Sequence, residues 1–478
     1  MRTSLIRTLA DRSVSLPVAT LYLTVVALPI ASLLVTEGSA HIQIILLLYV
    51  AGMLYSFSNP AFGVAAAILA PLIQMSIAGT YIASAWIDAR ILVPPLIVGL
   101  VVRGIRSSFH ARRTSDPRRT GRKLEWSVVL QAVFPVFGVF GLFSVSWSAN
   151  RTATTYASMA LLTAGVLFIA AAAVVPIGRV VRIISTVAVS TIGGSLLLLV
   201  IAPGWAVEQG RLRGVFENAN GLAAFVVVTA PVILARMGRF RWLAALVALA
   251  VVVATGSRSG FAALALELLV LLLVRRTTAS RNLVLITGYS VGVWFAWESM
   301  KGDAFFSSTI PLLRNNDSRT EVWTEGLRIF ESNRWVGLGT GALPFGSTGG
   351  LATEVLATGG IVGAGIATIF LVVLLVVAFR AAAVFASVVV GGLTNALFEP
   401  WLLTGGSALC IIFWLVVCHP DSVSLDMSPA RPRYVRPLTG QREDLCLDRD
   451  RSGPGPGDSQ SHQVEDHLRS GVVRRDRG

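Results

Sequence analysis

Three arginines stand in short polar segments between long apolar ones: Arg213 in RLRGVFENANGLA (211–223), Arg258 in GSRSG (256–260) and Arg319 in DSRTEVWTEG (317–326). Arg211 precedes the first of them by two residues. A guanidinium offers a planar fork that grips phosphate oxygens in pairs. Several such groups at the edge of an apolar region suit a diphosphate, because charge there is poorly screened. Glu217, Asp317 and Glu321 are the carboxylates nearest in sequence to these arginines, and they are the candidate general bases, unranked. A fourth polar segment, GLGTGALP (337–344), is followed by LATEVLATGGIVG (351–363). Each arginine taken singly is a weak signal. An Arg at a helix end also reaches out to lipid headgroups, and with Lys only at 123 and 301, Arg is nearly the sole base in use. Asn218 or Asn220 is expected to cap the helix that follows. The three Cys and five His show no metal-ligand spacing, so neither a metal nor a cofactor is expected.

The elements that must hold these segments are membrane helices. The chain has 478 residues, 54 % of hydrophobic type and only 14 % charged, against roughly 25 % charged in soluble domains. Its mean hydropathy is +0.71. Those values exclude an ordinary soluble enzyme and a disordered regulator. A spanning helix needs about 20 mostly apolar residues. Segments centred on 16–35, 41–57, 60–78, 88–102, 126–147, 154–177, 183–203, 221–235, 242–255, 260–274, 283–297, 351–379, 382–398 and 401–418 approach that requirement. The expected fold is an all-α polytopic membrane protein with about 12–14 transmembrane helices within 16–418. Residues 1–15 should lie in the cytoplasm, and no small-residue cleavage signal follows, so the first helix should be retained.

Charge gives the orientation. With the N-terminus cytoplasmic, alternate loops carry twenty basic residues on the inner side and ten on the outer side, as the positive-inside rule requires. The net charge of +14 is thus spread by topology rather than gathered for nucleic acid. The inner loop 103–124 holds eight bases; it serves as a topology anchor or meets anionic lipid headgroups. The outer loop 298–350 is the longest, and within it Trp323, Leu327 and Phe330 recur at helical spacing. That periodicity predicts an amphipathic helix on the outer membrane interface. The tail, 419–478, is rich in Pro and Gly without apolar periodicity, and is expected to be disordered and cytoplasmic. Both termini then face the cytoplasm.

Read in order, the segments resemble a known family. An Arg, then Gly-x-Phe-x-Asn-x-Asn at a helix start, Ser-Arg-Ser-Gly about 35 residues later, Ser-Arg-x-x-x-Trp and Gly-x-Gly-x-x-Pro resemble the O-antigen ligase/polymerase family, over roughly residues 130–418. The resemblance implies a metal-independent glycan transferase of the cytoplasmic membrane, working at its outer face. Its donor would be a polyprenyl-diphosphate glycan and its acceptor a glycan or lipid, with Arg213 (or Arg211), Arg258 and Arg319 on the diphosphate. One departure stands out. Setting Gly360 and Gly363 on the family's Leu-x-x-Leu-x-Glu-x-Gly stretch puts Gly349 and Gly350 where its ligases have His-Asn, and Thr358 where they have Glu. No His lies between His110 and His419. A ligase mechanism needing that imidazole as proton acceptor cannot operate unchanged, which favours a polymerase or a divergent transferase and leaves an inactive paralogue open. The competing class is a transporter or flippase of a lipid-linked glycan, for which Glu267 and Glu354 are the intramembrane ionisable groups to watch.

Overall fold

A computed structural model describes residues 51–76, 93, 96–104, 126–273, 318–343 and 349–419. The chain is an all-α membrane protein there, apart from one two-stranded hairpin. The expected spans 16–35 and 283–297 lie outside the described residues, as do most of 41–57, the basic loop beyond residue 104, Asp317 and the tail from residue 420.

The labelled helices run α1 Pro60–Gln74, α2 Trp126–Gln131, α3 Val133–Ser144, α4 Arg151–Val174, α5 Ile177–Ile201, α6 Ala219–Arg236, α7 Arg241–Thr255, α8 Arg258–Leu273, α9 Ser318–Ser332, α10 Leu351–Arg380, α11 Ala383–Ala396 and α12 Ala408–Val417. Among the described residues five helices are long and apolar enough to cross a membrane: α4, α5, α6, α7 with its leading turn, and α10. Several start where an asparagine caps them. Asn59, Asn150 and Asn218 accept hydrogen bonds from the backbone N–H of Phe62, Ala153 and Gly221, satisfying donors that a helix start leaves orphaned.

α6 is the centre. It is apolar all round, and every residue from Leu222 to Leu234 is buried, as a helix without a polar face must be. It packs against α5, α7, α8, α11 and α12. A second focus is aromatic. Phe134 meets Phe168 and Trp414 edge-on at 5.0 and 5.3 Å, and Phe413 joins Trp414 to Trp401. These edge-to-face contacts tie α3 and α4 to α12. At the α8–α11 interface Glu267 is fully buried, and its carboxyl oxygens have no hydrogen-bond partner among the described residues.

The described part of the bundle has two unlike ends. At the basic end Arg103 donates to the carbonyls of Phe57 and Ser58, Arg236 to that of Arg182, and Arg380 lies over the Trp126 ring. The other end gathers the 204–220 loop, the GSRSG turn, the start of α10 and residues 397–407. The 204–220 loop is anchored there by Glu217 N–H donating to Met75 O and by a bridge from Ser76 to Phe216.

The amphipathic segment forms α9, which is seated on the protein. Trp323 is buried, 6.3 Å from the Phe398 ring, while Leu327 of the expected apolar stripe is 45 % exposed.

Candidate functional site

Between α5 and α6 the chain must turn at the end of the bundle, and it does so through a single helical turn, Pro203–Ala206, and a hairpin of β1 (Val207–Glu208) with β2 (Arg211–Leu212). Gln209 and Gly210 sit at positive φ in its tip, the backbone of a tight two-residue turn. The hairpin presents the two arginines to different partners. Arg213 donates through Nε to Trp205 O at 2.9 Å and lies 3.5 Å from the Glu208 carboxylate, with its side chain 20 % exposed. Arg211 turns the other way. Its Nε donates to Thr255 O at 2.7 Å and its Nη2 to Asn220 Oδ1 at 2.6 Å, while Asn220 Nδ2 donates to a Glu399 oxygen at 3.1 Å. Through Thr255, Asn220 and Glu399, Arg211 thus ties the 204–220 loop to the end of α7 and to residue 399. The helix caps are divided accordingly: Asn218 caps α6, and Asn220 is committed to this network.

Thr255 ends α7 and leads into GSRSG. Gly256 takes φ +60° at the cap, close against the Arg211 side chain. Ser257 and Ser259 are buried, and the Ser257 hydroxyl accepts from Gly260 N–H at 3.3 Å. Arg258, half-buried, opens α8. The sequence-predicted segments RLRG and GSRSG are therefore brought together, Arg211 donating to the carbonyl of Thr255 just before the turn.

The glycine-rich segments 337–344 and 351–363 also meet. α10 is broken at Gly360, whose φ is +60° and ψ −158°. The groups freed by the break pair with residues 334–339. Leu338 and Gly339 donate to the carbonyls of Ala357 and Thr358, and Ile361 and Val362 donate to those of Arg334 and Trp335, all at 2.8–3.1 Å. In hydrocarbon every backbone polar group needs a partner, so a broken helix survives only where another segment supplies one.

Beside the break lies a cavity of about 790 Å³ between α3, α4, α10 and the 400–406 turn. Its wall is largely apolar, from Phe137 and Tyr156 to Leu167, with Thr340, Thr358 and Thr404 around it and Glu354 as its one charged residue. Pro400 belongs to the same wall and directly follows Glu399, which accepts from Asn220; Glu399, Asn220 and Arg211 are not themselves in the lining. Such a space accepts an apolar chain.

The remaining expected residues are dispersed. Glu217 is exposed on the 204–220 loop, Glu321 is exposed in the first turn of α9, and Arg319 belongs to the same turn by its backbone. Gly349 and Gly350 cannot be replaced in place by larger residues. Gly349 has φ +71° and a Cβ there would come within 2.9 Å of the Trp323 ring, while one on Gly350 would meet Leu397 O. On α9, Arg328 pairs with Glu325 through two nitrogens at 2.7 and 2.8 Å and holds that carboxyl below its usual range. Glu399 and the part of Asn220 escaped sequence reasoning, since a lone Glu-Pro between apolar stretches carries no spacing signal. Glu354 was legible as an ionisable group near a helix end, but not as part of a cavity wall. Among the described residues no three His, Cys, Asp or Glu side chains gather as a metal site. No protein-family model matches this chain, and no curated protein matches it.

Proposed function

We propose that the protein transfers or polymerises a polyprenyl-diphosphate-linked glycan at the outer face of the cytoplasmic membrane, both termini lying in the cytoplasm. The observation that carries this reading is the apolar cavity beside the interrupted α10, one of whose lining residues, Pro400, follows Glu399 of the Arg211–Asn220–Glu399 network. The isoprenoid chain would occupy the cavity. The diphosphate would rest on arginines from Arg211, Arg213, Arg258 and Arg319. The acceptor hydroxyl attacks the anomeric carbon of the donor sugar, the bond from that carbon to the diphosphate oxygen breaks, and the lipid diphosphate leaves with the electron pair. The acceptor's proton passes to a carboxylate, for which Glu217, Asp317 and Glu321 are candidates from sequence and Glu354 is added by its place in the cavity wall. Preorganised cations at the leaving group stabilise the charge that grows there. Arginine serves at any physiological pH, without a metal.

A second reading, a transporter of the same lipid-linked glycan, is favoured by Glu267, fully buried and unpartnered, and by the broken helix, both common along transport pathways. Proteoliposomes supplied with a labelled polyprenyl-diphosphate glycan and an acceptor separate the two. New glycosidic bonds support the transferase. Movement of the label across the bilayer without new bonds supports the transporter.

A further inference from the structure

We infer that the groove between α5, α6 and α7 at the basic end is a binding site for an anionic phospholipid, with one acyl chain in the groove and the phosphodiester on Arg239 and Arg241. The groove is separate from the glycan cavity, and the inference does not depend on the transferase reading.

The groove measures about 260 Å³, and its lining is apolar throughout, including Ile192 and Gly193 of α5, Ile233 of α6, and Phe240 and Leu243 beside α7. Its floor is open at Gly193, where an added Cβ would meet nothing within 4 Å. Along α6 it runs from Val226 to Met237, which at 1.5 Å per residue is about 16 Å. On α5 the lining runs from Val189 to Leu196, toward the end of that helix at Ile201. It opens at the basic end, at Met237 and Phe240.

The mouth supplies the headgroup's counter-charge. Phe240 is half exposed there, and it lies between two arginines in sequence. The Arg239 guanidinium lies over the Phe240 ring at 4.7 Å from its centroid, and Arg241 over Trp242 at 5.7 Å. A guanidinium held by its flat face on a ring keeps its N–H edge available for phosphate oxygens. Arg179 is exposed at the start of α5, at the same end, and neither 177–182 nor 236–241 contains an acidic residue. A cationic mouth over an apolar groove selects a lipid whose headgroup carries net negative charge.

The test uses the full chain in nanodiscs of phosphatidylcholine with about one-fifth phosphatidylglycerol, followed by extraction into detergent and native mass spectrometry of the lipid retained. Gly193→Leu fills the groove without altering charge, the pair Arg239→Gln and Arg241→Gln removes the charge without altering the groove, and Gly365→Leu adds the same bulk at an exposed position of α10. The expected result is one retained phosphatidylglycerol on the wild type and on Gly365→Leu. Retention should fall about tenfold or more in the other two variants. The arginine pair lies at the surface, so it remains informative if Gly193→Leu fails to fold. Equal retention by the wild type and the arginine variant would overturn the site. So would retention of phosphatidylcholine at the same level as phosphatidylglycerol.

Discussion

Arg211 donates from two nitrogens to two different segments, and one of its acceptors, Asn220, donates onward to Glu399. These groups are only partly exposed, so removing one leaves its partners short of a bond, at a cost of about 1–3 kcal/mol. Arg211→Ala and Asn220→Ala should therefore each lower the unfolding temperature in detergent. Because both break the same link, the double variant should be less destabilised than the two effects added together, with a coupling of about 0.5–3 kcal/mol. Simple additivity would show that the Arg211–Asn220 bond contributes nothing. The same residues show what sequence reading reaches. An Asn cap before α6 was legible because a polar residue at the edge of a long apolar run has little else to bond, and Asn218 does cap it. That Asn220 joins Arg211 to Glu399 was not legible, because it depends on where residue 399 arrives, 179 positions further along the chain.

Hydropathy placed the helices well wherever the apolar stretch is long. The span expected at 351–379 is α10, Leu351–Arg380, and the span at 242–255 is α7, Arg241–Thr255. It failed at 401–418, where the helix starts only at Ala408 and residues 401–407 form turns. Those turns are themselves apolar in part, with Trp401 and Leu402 buried, so composition alone read them as helix. The break in α10 was hidden for a different reason. It is made by backbone hydrogen bonds between two glycine-rich stretches, and backbone pairing leaves no periodic trace in side chains. Gly360 is what permits it. A residue with a Cβ is strained at φ +60°, ψ −158°, and the Cβ would come within 2.5 Å of the Trp335 carbonyl. Gly360→Ala should cost at least about 3 kcal/mol, read as a drop in thermal stability, and should abolish glycan transfer. An unchanged unfolding temperature would mean that α10 is continuous in solution.

For the whole molecule, the unequal distribution of basic residues was the feature most easily read, because it depends on counts alone. It gives a sidedness to test. A cysteine introduced at position 310 should react with an impermeant reagent added outside the cell, and one at 115 should not; the opposite pattern reverses the orientation. The end of the bundle also bears on the tail. His419 is buried, and since Val175 O can only accept, the ring nitrogen Nε2 donates to it at 2.9 Å. A chain ending after His419 keeps this contact and loses only a segment with no apolar face. Glycan transfer by that truncated protein should equal the wild type at matched membrane abundance, and loss of transfer would give the tail a direct part in the reaction.

The central claim is that arginines stabilise a departing lipid diphosphate, and initial rates of glycan transfer measure it most directly. Purified proteins would be reconstituted with a labelled polyprenyl-diphosphate glycan, comparing the wild type with Arg213→Ala, Arg258→Ala and Arg319→Ala. Arg328→Ala is the control, because that exposed side chain is engaged with Glu325 on the surface of α9. Removing a preorganised charge-stabilising group costs about 10²–10³ in rate, and Lys in its place should also be slow because it loses the paired geometry. The account predicts losses of that order for the three variants and a wild-type rate for Arg328→Ala; equal rates for all four at equal abundance would contradict it.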